Sequence, residues 1–147
     1  VLLQVEAQAE RLAEAPKRRS HDAVQFREEV LALLHTLFRE KIEEPFFDKT
    51  SDPEALFKVD ALVKAKTPLA VAVVPGEVEA ERAVSAKLAL HDNAPANTRW
   101  IASPRDMERL TSSTRKRLPR EYLKAGSAFA EDREVVQNRL RDLADVA

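Results

Sequence analysis

Three histidines, His21, His35 and His91, are the chain's whole supply of imidazole, and no cysteine accompanies them. A helical metal site places two ligands three or four residues apart on one face, a spacing none of the three satisfies. His35 falls at the edge of an apolar arc between Leu31 and Phe38, which suits a packing residue better than a base. His91-Asp92 closes a helical pattern, where an imidazole meets exposed carbonyls. The carboxylate pairs Glu28-Glu29 and Glu43-Glu44 sit side by side on a charged helix face, whereas acid/base chemistry needs carboxylates that face each other with separated pKa values. Without cysteine, thiolate catalysis and thiolate metal sites are excluded. A phosphate cradle needs several glycines before an acid-free helix start, and "PGEVE" supplies Gly76 with two glutamates. These residues predict no catalytic, metal or cofactor site, no small-molecule substrate, and no enzyme.

Positive charge gathers in one place. Residues 105–124 hold seven Lys or Arg against three Asp or Glu, in a chain of 147 residues with a formal net charge of -1. Read as a helix from 104 to 118, at about 100° per residue, the segment puts Arg105, Arg109, Ser112 and Lys116 on one side. Arg120 and Lys124 extend that stripe and Tyr122 adds a ring for a base, a pattern suited to RNA phosphates. The alternative is a solvated face whose last-turn cations, Arg115, Lys116 and Arg117, complement the helix dipole. Duplex binding without sequence preference usually accompanies a clearly basic domain, which this chain is not.

The elements that would position these groups follow from composition. The chain is 44% hydrophobic and 33% charged, with two glycines and few aromatics. That balance favours helices over hairpins. Leu2, Val5, Ala9 and Leu12 line one helical face, interrupted at Pro16. Ser20 or Asp22 caps a second helix running to about Glu44 and stopped by Pro45. A third starts at Ser51 or Asp52 with Pro53 in its first turn and Leu56, Val59, Leu62 and Val63 inward. "LAVAVV" reads as a strand fenced by Pro68 and Pro75, or as a helix capped by Thr67. A helix from Glu77 follows, with Val78, Ala83 or Val84, Leu88 and Leu90 inward, and then a strand, "NTRWIAS". Ser103 and Pro104 open the basic helix, with Asp106 as its capping-box acid, and Pro119 ends it. A last helix from about Ser127 aligns Phe129, Val136, Leu140, Leu143 and Ala147.

The expectation is a mainly α, helix-rich single domain over residues 1–147. Residues 1–50 would form a helical hairpin, and 51–147 a helical core with a small two-stranded βαβ element at 69–102. A single domain of this length can bury about 70% of its unfolded surface. No apolar run reaches a membrane span, and the opening residues lack the basic region of a signal peptide. The chain therefore reads as soluble. It would be cytoplasmic, or in the mitochondrial matrix if the non-Met start reflects transit-peptide removal.

One helix is apolar too far round its circumference. Phe26, Val30, Leu33 and Leu37 point one way, and Leu31, Phe38, Ile42 and Val24 lie about 120° to 140° from them, with Leu34 bridging the two. An apolar arc that wide packs on two sides, so Leu31, Phe38 and Ile42 are the expected partner-binding edge. The functional expectation is a non-enzymatic accessory or structural subunit, or a protein–protein interaction module, of a larger multi-subunit complex. The alternative is an RNA-associated protein of a ribonucleoprotein, contacting phosphate through Arg105, Arg109, Lys116 and Arg120.

Overall fold

In the computed structural model, residues 23–124 and 133–145 are described. Helix α1 (residues 23–38) buries Phe26, Val30, Leu33 and Leu34, the i, i+4, i+7, i+8 line of an amphipathic helix. It ends at Arg39, whose φ of 52° turns the chain left-handed while its N–H bonds His35 O. The helix thus stops short of the expected Glu44. The chain enters strand β1, Ile42–Glu43, which pairs antiparallel with β2, Ala61–Val63.

Strand β3, Leu69–Val74, pairs antiparallel with β2 and parallel with β4, Arg99–Pro104. Helix α2, Glu77–Leu90, makes the crossover between β3 and β4. A second crossover, through α3, Ser112–Glu121, leads to β5, Leu123–Lys124, parallel to β4. Helix α4, Arg133–Asp145, follows. The sheet order is β1-β2-β3-β4-β5.

This architecture corrects the mainly α expectation. The parallel pair across 69–102 is present, but within a mixed sheet that has five strands among the described residues, in an α/β fold. All six residues of β3 are buried, because helices cover both faces. Leu69, Val71 and Val73 pack with α1 and α4, while Ala70, Ala72 and Val74 pack with α2 and α3.

Three further expectations fail for identifiable reasons. Residues 51–66 are not a helix: Ala61 and Val63 enter one core and Leu62 the other, the alternation of a strand buried on both faces. Helix α2 buries Ala80, Ala83, Val84, Ala86 and Leu90 while Val78 and Leu88 are exposed. Its alanines meet Ala70, Ala72 and Ala102 of the sheet, and small residues in both layers let helix and sheet approach closely. Ser103 and Pro104 finish β4 rather than starting a helix. Asp106 instead caps a short 3-10 turn, Met107–Arg109, and Thr111 caps α3, which contains Pro119 and continues past it to Glu121.

Of residues 1–50, expected to form a helical hairpin, the described part holds α1 and β1, and β1 pairs with β2 on the other side of residue 50. The helix expected over residues 1–15, together with Phe129 and Ala147, lies outside the described residues. Val136, Leu140 and Leu143 of α4 are buried. Among the described residues, no helix is long and apolar enough to cross a membrane.

Candidate functional site

β2 is shorter than β3: its register ends at Ala61 opposite Val71, so the last residues of β3 have no strand beside them on that edge. Asp60 takes the strand's place there. Its Oδ2 accepts the Val73 N–H at 2.7 Å, and its Oδ1 stands 3.0 Å from Arg27 Nε of α1. Burial pushes the Asp60 carboxyl above its ordinary value, against the lowering effect of the Val73 hydrogen bond and of the Arg27 and Lys58 charges.

Around this broken edge opens a groove of about 810 Å³. Arg27 and Leu31 of α1 form one wall, the 55–58 turn with Asp60 the floor and rim, and α2 from Val78 to Ser85 the other wall. Its charged lining is nearly balanced, with Arg27, Lys58 and Arg82 against Glu44, Asp60, Glu79 and Glu81.

The turn on the rim is held in an unusual way. Asp52 accepts the N–H groups of both Leu56 (2.9 Å) and Phe57 (2.8 Å). Between them and the aspartate, Ala55 has a φ of 56°, a left-handed conformation that costs an L-residue about 1–2 kcal/mol. Asp48 braces the same loop by accepting from Thr50 N (3.1 Å), Ser51 Oγ and Asn93 Nδ2 (3.0 Å), and the Ser51 hydroxyl leads the bonds that lower its pKa. The outcome is a braced display of apolar surface. Leu56 is 74% exposed and Phe57 45%, with Val78 of α2 at 55% across the groove.

A second cluster sits at the C-terminal ends of the parallel strands, where open α/β sheets commonly bind ligands. Glu77, the first residue of α2, occupies the N-terminus of α3. Its Oε2 accepts Thr111 N at 3.1 Å and its Oε1 accepts the hydroxyls of Thr111 (2.7 Å) and Thr114. Those bonds, the Thr114 hydroxyl first, hold the Glu77 carboxyl below its ordinary value. The protein's own carboxylate thus fills the place an anionic ligand group would take.

The residues singled out from sequence are dispersed. Leu31, Phe38 and Ile42 are all half-buried against the core shared by α1 and α4, and Leu31 also lines the groove. The basic residues do not share a helix. Arg105 follows β4, bonding Val74 O through its N–H, and Arg109 ends the 3-10 turn with Nε 3.3 Å from Asp106 Oδ2. Of these four, only Lys116 and Arg120 belong to α3, where both are exposed. His35 is exposed rather than packed, its Nε2 2.6 Å from Glu44 Oε2, and His91 is the C-cap of α2. His21 lies outside the described residues. Among the described residues, no three metal-ligating side chains gather.

Sequence reasoning missed Leu56, Phe57 and Val78 because helical spacing assigned Leu56 and Val78 to buried faces. The legible signal was Asp52-Pro53, an acid able to cap the amides four and five residues on. The sequence matches no protein-family model, no curated protein and no solved structure.

Proposed function

We propose that this chain is a non-enzymatic protein–protein interaction module of a larger assembly, and that it docks through the rim of the Asp60 groove. The observation that carries this reading is the 52–57 turn. A left-handed alanine and a doubly engaged aspartate hold two large apolar side chains out of the core and beside a concavity. Contiguous exposed apolar side chains beside a concavity mark protein–protein interaction sites. Leu31 lines the same groove and is included in the proposed surface, whereas Phe38 and Ile42 do not line it.

The test is affinity capture from the native source with wild type, Leu56→Asp and Phe57→Asp, using Leu123→Asp on β5 as an exposed control. The two groove variants should lose partners that wild type and the control retain. Identical captured sets for all four proteins would refute the reading.

The four exposed cations of α3, Arg115, Lys116, Arg117 and Arg120, favour a second reading as an RNA contact. Replacing Lys116 and Arg120 with Ala should then flatten the salt dependence of RNA affinity by roughly 0.7 per lost contact. RNA affinity with an unchanged salt slope would remove these residues from any such site.

A further inference from the structure

We infer that the partner seated on this groove is a second copy of the chain, related by a two-fold axis. This rests on the interaction reading above and names its occupant. Two features of the face point to self-association. First, the protrusion and the concavity adjoin: Leu56 and Phe57 stand on the rim of the groove that Arg27, Leu31 and Val78 line. When two such faces meet about a two-fold axis, each protrusion comes opposite the other copy's groove, and the contact closes on itself. Second, three cations line the groove against four carboxylates, so the surface complements its own kind and attracts neither a strongly acidic nor a strongly basic partner.

A stable interface needs about 800 Å² from each partner, more than two side chains provide. The outward face of α2 supplies the continuation. Ser85, at the end of the groove, lies one turn before Leu88, which is 70% exposed and has no place in either core.

Sedimentation equilibrium of the full chain across a wide concentration range decides the matter. Wild type should fit a monomer–dimer equilibrium that stops at the dimer. Leu56→Asp removes an anchor twice per dimer, each worth about tenfold in affinity, so its dissociation constant should rise about 100-fold. Leu88→Asp should weaken the dimer in the same direction. Because Leu56 and Leu88 are exposed, both variants should keep the wild-type melting temperature at concentrations where all three are monomers. Phe57→Asp is the substitute if Leu56→Asp alone unfolds. A wild type that stays monomeric at its solubility limit would overturn the inference, leaving the interaction reading to the capture experiment. Dimers unaffected by these substitutions would place the interface elsewhere. Oligomers that keep growing with concentration would indicate a head-to-tail contact and overturn the two-fold.

Discussion

Asp60 replaces a missing strand at the edge of β3, and removing it tests whether that substitution holds the groove together. In Asp60→Ala the Val73 N–H loses its acceptor beneath a buried sheet, at a cost of about 1–3 kcal/mol. The ion pair with Arg27 adds less, about 0–1 kcal/mol, because the arginine side chain is 43% exposed and screened by water. The expected loss is therefore about 1–4 kcal/mol, most of it from the orphaned Val73 N–H, read from urea unfolding. Trp100, the single tryptophan, is 8% exposed and packs edge-on to Tyr122, so its fluorescence reports the loss of the core directly. Asp60→Asn keeps an oxygen for Val73 and sheds the desolvated charge, so it should lie within about 1 kcal/mol of wild type.

The pH dependence separates the two terms further. Since the folded-state pKa of Asp60 is raised, its contribution is fully present below the ordinary value of 3.8 and is lost as pH rises through the raised value. Acidification across that window should therefore stabilise wild type relative to Asp60→Asn. Equal losses in Asn and Ala, or a wild type that falls behind Asn on acidification, would refute the account of this edge.

Glu77 should behave with the opposite sign. Its folded pKa is depressed, so the stability it gives to the α3 N-terminus is present above the ordinary value of 4.5 and fades as pH falls through the folded value; Glu77→Ala should abolish that component and speed amide exchange around Thr111. Ala55→Gly should raise stability by about 0.5–1 kcal/mol, the relief of the left-handed strain less the cost of a freer unfolded chain, and a lowered melting temperature would contradict the strain argument. Leu140→Ala, which empties a site 2% exposed in α4, should cost about 2–5 kcal/mol in urea unfolding, whereas Leu56→Ala should stay within about 0.5 kcal/mol of wild type. If the two alanine variants proved equally unstable, the Leu56 side chain would belong to the core.

Local chemistry alone determined several features of this protein. The line Phe26, Val30, Leu33, Leu34 makes α1 amphipathic in any surroundings, and Val136, Leu140 and Leu143 do the same for α4. "LAVAVV" between prolines is a short apolar run suited to a buried strand, and a 14-residue helix leading to a second strand implies a parallel crossover. Tertiary packing decided the rest. Leu56, Val59, Leu62 and Val63 satisfy a helical line, yet pairing with β1 and β3 made Leu62 and Val63 a strand and left Leu56 in the turn before it. The buried side of α2 was chosen by the alanines of the sheet, since apolar periodicity ranks Val78 and Leu88 above Ala80 and Ala86. The basic stripe dissolved for a similar reason: β4 extended through Pro104, which delayed the helix to Ser112 and left Arg105 and Arg109 outside it. The groove depends on β2 being shorter than β3, a mismatch in pairing lengths between segments that are separate in sequence. Propensity and periodicity act over one or two turns of chain, whereas register and layer spacing are set by whichever surfaces meet.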